Sequence, residues 1–363
     1  MIAPPVTAPR ARPKRRYAIL TPGLFASRAA KTAHGVIAYG SDETVAVIDP
    51  THAGECVRDA VPYLRSEAPI VADLAEAFPY GPTALLIGVA PSGGALPDSW
   101  RMSILQAIEA KLEIVSGLHT VLADDAEFAA AAGRADKPIW DVRVPPPPRL
   151  FSGEANGVAA CVALFVGSDC AVGKMTAALE LTRAARDRGR RAEFVATGQT
   201  GIMIAGDGIA IDRVIADFAS GAAEQLLLDA PADAEILFVE GQGGINHPAY
   251  APVTLALLFG CAPDALILVH LASRRRIDDY GTPLLALPRL IALYESLCAT
   301  VKPAKVCGIA LNTHGLDEAA ASAAIDDARA QTGLPCDDVV RNGPATLYEA
   351  IAPALQRKTV ALQ

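Results

Sequence analysis

The stretch FVGSDCAVGKMTAALEL, Phe165 to Leu181, holds the residue types that grip phosphate. A loop of the form GxxxxGK[ST] needs small residues, so that successive backbone N–H groups converge on an anion. It also needs a lysine ammonium and a following helix whose N-terminal dipole favours negative charge. Here Ser168 stands at the first glycine position, Asp169, Cys170, Ala171 and Val172 fill the loop, and Gly173 and Lys174 complete its core. The next residue departs from the pattern. Met175 occupies the position whose hydroxyl binds magnesium, and a soft thioether is a poor magnesium ligand. Thr176 lies one residue on, rotated by about 100° around the helix. The grip on a diphosphate survives, and a diphosphate occurs in coenzyme A as well as in nucleotides. The claim to magnesium-dependent phosphoryl transfer is weakened.

Other groups of this kind follow apolar runs. In LFVEGQGGINHP, Glu240 ends a strand, and its carboxylate could bind magnesium, fix a substrate ammonium or act as a base. An ordinary acidic strand terminus is the plain alternative. Gly241, Gly243 and Gly244 open the backbone beside it, and Gly243 counts among the substrate-binding candidates. His247, in the same loop, is a proton acceptor at neutral pH or a satisfied buried histidine. Gln199 and Thr200 stand just beyond a strand, where amide and hydroxyl groups meet ligand. Arg213 can clamp a carboxylate bidentately, while the neighbouring Asp212 is expected to cap a helix from Arg213 to Ser220. Arg274 follows the strand end at His270 in the run SRRR, which otherwise reads as a solvated face. Cys170 sits near helical N–H groups that would lower a thiol's pKa; a small packing residue is the favoured role. VAPSGG, ending at Gly94, could form a small anion-binding turn, but both it and IVSGLH, ending at His119, read more plainly as parts that shape the domain interface. No His/Cys spacing marks a metal site, and no Ser-His-Asp order appears.

These residues need strands and helices to hold them. RYAIL, TVAVIDP and ALLIGVAP read as buried strands, with helices expected over Ala29 to Tyr39, Ala53 to Ser66 and Asp98 to Ala110. Alternating strands and helices predict a parallel sheet. This half is Rossmann-like, but it lacks a clean GxGxxG, so dinucleotide binding does not follow. Four prolines, Pro145 to Pro148, then break the pattern and predict a stiff connector. The second half restarts with VAACVALFVG and continues through EFVAT, EILFVEG, DALILVHL and KVCGIALNT. The expected architecture is α/β: two doubly wound domains, Rossmann-like over residues 17–148 and P-loop-like, with a mostly parallel sheet, over 149–363. In such sheets ligands bind outside the carboxyl ends of the strands, which is where the residues above cluster.

Composition sets further bounds. With 363 residues, of which 52% are hydrophobic and few aromatic, the chain can bury two aliphatic cores. A net charge of -8 argues against a nucleic-acid surface. The seven cysteines form no CxxC pair, which fits a reducing cytoplasm. The Pro-rich basic segment over residues 1–16 reads as a disordered tail without the apolar run of a signal peptide. No run is apolar enough to span a bilayer. A homodimer is the expectation for an enzyme of this size.

At GSDCAVGKMT and VEGQGG the chain resembles dethiobiotin synthetase, a P-loop ATP-dependent enzyme. The wider resemblance is to the D-glutamate N-acetyltransferase family, which joins a Rossmann-like domain to a P-loop-like one. KTAHGVIAYG, AVIDPTHAGE, LIGVAPSGGALPDSWR, IVSGLH, DVRVPP, FVGSDCAVGKMT, GQTGIMIAGDG and EGQGGINHPAY carry it, roughly from Tyr17 to Asn342. The resemblance implies transfer of an acetyl group from acetyl-CoA to the amine of a D-amino acid, by default D-glutamate. The loop would then hold the coenzyme A diphosphate. Glu240, His247 and Asp169 are the candidate bases, loop N–H groups or Gln199 the oxyanion donors, and Arg213 and Arg274 the cations for substrate carboxylates. Direct attack by the amine is expected, without an acyl-Cys170 intermediate. The alternatives are an ATP-dependent ligase or kinase of the dethiobiotin synthetase type using Mg-ATP, and a nucleotide-binding switch.

Overall fold

The computed structural model describes residues 14–89, 94–278 and 280–361. Most of the expected N-terminal tail (residues 1–13) and of the VAPSGG turn (residues 90–93) lies outside the described residues. The first sheet contains β1 (Arg16–Leu20), β2 (Glu43–Ile48), β3 (Ile70–Val71), β4 (Ala84–Ile87), β5 (Glu113–Ser116) and β6 (Ile139–Asp141). Among the described residues it is six-stranded and parallel, in the order β3-β2-β1-β4-β5-β6. The strand centres are unbroken apolar runs because both faces are covered. Ala18, Leu20, Leu85, Ile87 and Ile114 pack with Ile104, Ile108 and Phe128 of the helices Arg101–Glu109 and Ala126–Ala135.

The long helix expected over Ala53 to Ser66 is instead a single turn, Val57–Ala60. Pro62 is the cause. The residue before a proline is pushed out of the helical region, and Val61 takes φ -135° and ψ 86°. Gly54, at φ 92°, turns the chain the other way before it.

The end of β2 explains the lack of a dinucleotide fingerprint. A doubly wound fold that binds a dinucleotide keeps an acidic residue near there for a ribose. Here the buried Asp49 carboxylate accepts hydrogen bonds from the N–H groups of Gly23, Phe25 and Thr51 and from the Thr51 hydroxyl. Its lone pairs hold the turn after β1. Asp49→Ala strands these donors and should cost about 3 kcal/mol of stability, read as a lower urea midpoint at unchanged slope.

The second sheet contains β7 (Cys161–Gly167), β8 (Ala192–Val195), β9 (Ile236–Val239), β10 (Ala265–Leu271), β11 (Lys305–Asn312) and β12 (Cys336–Asp337). It too is parallel and six-stranded among the described residues, in the order β12-β11-β10-β7-β9-β8. Strand β7 therefore lies between β9 and β10. The loop that follows it is flanked by Glu240 on one side and by the His270 to Arg274 segment on the other. Among the described residues no helix is long and apolar enough to cross a membrane.

By packing, the chain divides at Val144/Pro145, at the proline run, and residues Gln199–Ala210 group with the first unit. The sequence boundary placed that stretch in the second half. Its helix, Gln199–Ala205, instead packs on the helix Lys31–Tyr39, with Thr200 Oγ1 3.0 Å from Thr32 Oγ1.

Candidate functional site

The loop after β7 has the form that the motif implies. Ala171 (φ 51°) and Gly173 (φ 111°) are both left-handed, a backbone that lets successive N–H groups turn inward. The helix Lys174–Asp187 starts at the lysine. The buried Lys174 ammonium donates to the carbonyls of Asp169 and Gly243, each at 2.7 Å. Asn312 Nδ2 supports the loop from the end of β11 by donating to the Val172 carbonyl. Met175 and Thr176 are half-buried in the first helical turn.

Gly241 is needed for close approach: a Cβ there would lie 1.6 Å from the Phe165 carbonyl oxygen on β7. Gly243 is left-handed at φ 62°, and its carbonyl faces Lys174. Tyr294, from the helix Leu287–Cys298, ties the two glycine-bearing loops together. Its buried hydroxyl donates to the Gly167 carbonyl at 2.7 Å and accepts from the Ile245 N–H at 3.0 Å. Nothing in the sequence singles this tyrosine out, because its helical spacing is that of an ordinary core residue.

Asp169 is 0% exposed and its oxygens are committed. Oδ1 accepts from the Cys170 N–H at 2.7 Å. Oδ2 accepts from Arg274 Nη1 at 2.6 Å and from the Asp278 N–H at 3.0 Å. A carboxylate so held shapes the loop, and neither oxygen is left without a donor for the role of base expected of it. Arg274 is committed with it: the guanidinium pairs with Asp169 and Asp278 instead of standing ready for a substrate carboxylate.

His247 is 2% exposed. Its Nδ1 accepts from the N–H groups of Ala249 and Tyr250, at 3.1 and 3.2 Å. That assigns the proton of the neutral ring to Nε2, which faces Asp169 Oδ1 at 3.8 Å. In this tautomer Nε2 is a donor, the state of a satisfied buried histidine. The same tautomer argues against a metal. Asp169, Cys170 and His247 offer ligand atoms within 4.8 Å of one another, but a metal on Nε2 would drive the proton onto an Nδ1 that already faces two N–H donors. It also keeps Cys170 from a triad, since Nε2 cannot take the thiol proton.

Glu240 lies in a different setting. It follows β9 and is 5% exposed, and its Oε2 accepts from the N–H groups of Thr197 and Gly198 at 3.0 and 3.1 Å. Oε1 has no hydrogen-bond partner among the described residues. Burial pushes the carboxyl up to about 7, against the pull of those two donors and of the Lys174 ammonium. Of the three candidate bases it is the carboxylate with an oxygen to spare. Across the loop, burial and the nearby Arg275 and Arg274 charges hold His270 down to about 4, and its Nδ1 meets Ser168 Oγ at 2.8 Å as a neutral ring.

The remaining expected site residues are scattered. Arg213 is exposed at the end of the short turn Ile211–Arg213, and no ion pair joins it to the cluster among the described residues. Asp212 does not stand at the helix N-cap expected for it: the helix runs over Ala216–Leu228 with Ile215 at that position. Gln199 lies against Gly117, and Thr200 against Thr32, in the first unit.

Because the folded pKa of Glu240 exceeds its unfolded value, folding is disfavoured as the pH rises from about 4.5 to about 7. Glu240→Gln should match the parent in stability at pH 4 and exceed it at pH 8 by about 3 kcal/mol. Urea unfolding at the two pH values checks this.

Comparison with known proteins gives a consistent result. The model of a domain of unknown function, the DUF1611 P-loop domain, matches residues 149–348, and its Rossmann-like N-terminal companion matches residues 50–145. The chain is similar to a D-glutamate N-acetyltransferase of Tritonibacter scottomollicae, 41% identical over 77% of this chain and 84% of that protein. It is similar also to a D-glutamate N-acetyltransferase of a Pseudoalteromonas species, 36% identical over 74% and 81%. The crystal structure of a DUF1611 family protein from Anabaena variabilis superposes with a TM-score of 0.90 at 40% identity, covering 94% of this chain and all of that one.

Proposed function

The chain belongs to the DUF1611 family, and we propose that it is an N-acetyltransferase that moves an acetyl group from acetyl-CoA to the amine of D-glutamate. The observation that carries this reading is the pair of named relatives aligned over three quarters of the chain. The site is compatible with it at each step. The loop from Ser168 to Thr176 offers N–H groups and the Lys174 ammonium to the coenzyme A diphosphate. A thioester needs no metal to activate its leaving group, so Met175 costs the reaction nothing.

Glu240 is the base. It stands deprotonated above about pH 7 and takes a proton from the substrate ammonium. The freed amine attacks the thioester carbonyl, and loop N–H groups stabilise the oxyanion. The new C–N bond replaces the C–S bond, the proton on Glu240 passes to the departing thiolate, and the second proton of the attacking nitrogen is released to solvent, so the products are the amide, the free thiol and one proton. Arg213 is the cation proposed for a substrate carboxylate, since its neighbour Asp212 lies near enough to act on Glu240.

The test is steady-state kinetics with acetyl-CoA and D-glutamate, with and without magnesium. Turnover should be independent of the metal, and kcat/KM should rise with pH through about 7. Glu240→Gln should lower kcat by a factor on the order of 10² to 10⁴. Lys174→Ala should weaken acetyl-CoA binding about tenfold to a hundredfold, the worth of a hydrogen bond to a charged group. ATP turnover that requires magnesium, with no acetyl transfer, would overturn the reading.

A further inference from the structure

The half-buried amide of Gln242 stands beside the proposed base, and its neighbours fix its orientation. Glu240 and Gln242 are two residues apart in the stretch that leaves β9, and both side chains reach Thr197 and Gly198. Glu240 Oε2 accepts from the N–H groups of those two residues. Gln242 Nε2 lies 3.2 Å from Thr197 Oγ1. The Thr197 hydroxyl spends its one proton on the Glu240 backbone carbonyl, at 2.7 Å, and a carbonyl can only accept. Toward Gln242 that hydroxyl is therefore an acceptor, so the amide presents its NH2 group there and turns Oε1 away. The backbone is held too, since the Gln242 carbonyl accepts from the Thr254 hydroxyl at 2.8 Å. Gly198 shows how closely the amide is seated. A Cβ there would overlap Nε2, and the next atoms it would meet, Cδ at 3.3 Å and Oε1 at 3.5 Å, belong to Gln242 as well.

Two acceptor oxygens are left over, Oε1 of Glu240 and Oε1 of Gln242. Neither has a hydrogen-bond partner among the described residues, and neither is shut away from solvent. A carboxylate oxygen and an amide oxygen repel an anion, and together they suit a cation that carries more than one N–H. We propose that Gln242 is a substrate-positioning residue: its Oε1 accepts one N–H of the substrate ammonium while Glu240 Oε1 takes another. This role rests on the acetyl-transfer reading, in which that ammonium must be held before it can lose a proton to Glu240. Holding two of its N–H groups fixes the nitrogen against rotation, which one acceptor alone does not do.

Steady-state kinetics of the full chain with D-glutamate and acetyl-CoA tests it through two variants. Gln242→Leu keeps the bulk and removes the acceptor. Gly198→Ala keeps the N–H that serves Glu240 and pushes the amide aside, at a position whose backbone is not left-handed. Each should raise the KM for D-glutamate about tenfold or more, the worth of a hydrogen bond to a charged group. The KM for acetyl-CoA should stay within about twofold. The double variant should be no worse than Gln242→Leu alone, because both changes remove the same contact. Acetyl transfer with an unchanged KM for D-glutamate in either variant would overturn the role of Gln242 and leave the acetyl-transfer reading standing. So would two effects that add in full, or a KM for acetyl-CoA that rises as far as that for D-glutamate. A parent chain that transfers no acetyl group would overturn both.

Discussion

The buried pair of Asp169 and Arg274 is the constraint on which the P-loop region depends. Taking both charges from water is costly, and such a pair persists only where further hydrogen bonds satisfy the remaining lone pairs. The N–H groups of Cys170 and Asp278 supply them. The result fastens the loop after β7 to the segment after β10 and fixes the Asp169 backbone, whose carbonyl holds the Lys174 ammonium. The left-handed backbone at Ala171 is therefore held from outside the loop.

Glu240 shows what the same functional group becomes without a guanidinium. Its partners are two backbone N–H groups, and burial outweighs them, so the carboxyl titrates near neutrality. Two acidic residues at the ends of β7 and β9, adjacent strands, are thus driven to different tasks by their surroundings. One is spent on structure and the other keeps a free oxygen. His247 divides its nitrogens in a similar way, with Nδ1 committed to the turn before the helix Ala251–Cys261.

Much of this was legible in the sequence, and the rest was hidden for identifiable reasons. Long apolar runs such as DALILVHL gave β10 nearly to its ends, since a strand covered on both faces has one composition. The loop from Ser168 to Lys174 was readable because its chemistry is local. Short edge strands such as β3 and β12 carry two residues each, too few for any pattern to register. The pairing of Arg274 with Asp169 was hidden because the two lie 105 residues apart in the chain. That the stretch Gln199–Ala210 packs with the first unit was not legible, because the four prolines mark where the chain leaves one unit, not where it later returns.

Met175 turns from an anomaly into an argument once the two halves of a P-loop's work are separated. Holding a diphosphate needs only converging N–H groups, a helix N-terminus and a lysine. Cleaving one needs a hydroxyl that places magnesium on the transferred phosphoryl group. The chain keeps every element of the first set and lacks the defining element of the second. A thioester donor draws on the first set alone: its diphosphate is a handle remote from the reacting carbonyl, and binding energy at that handle can be spent on orienting the reaction centre. What the reaction then requires near the loop is a group that accepts a proton close to pH 7. The end of β9, the strand beside β7, carries such a group in Glu240.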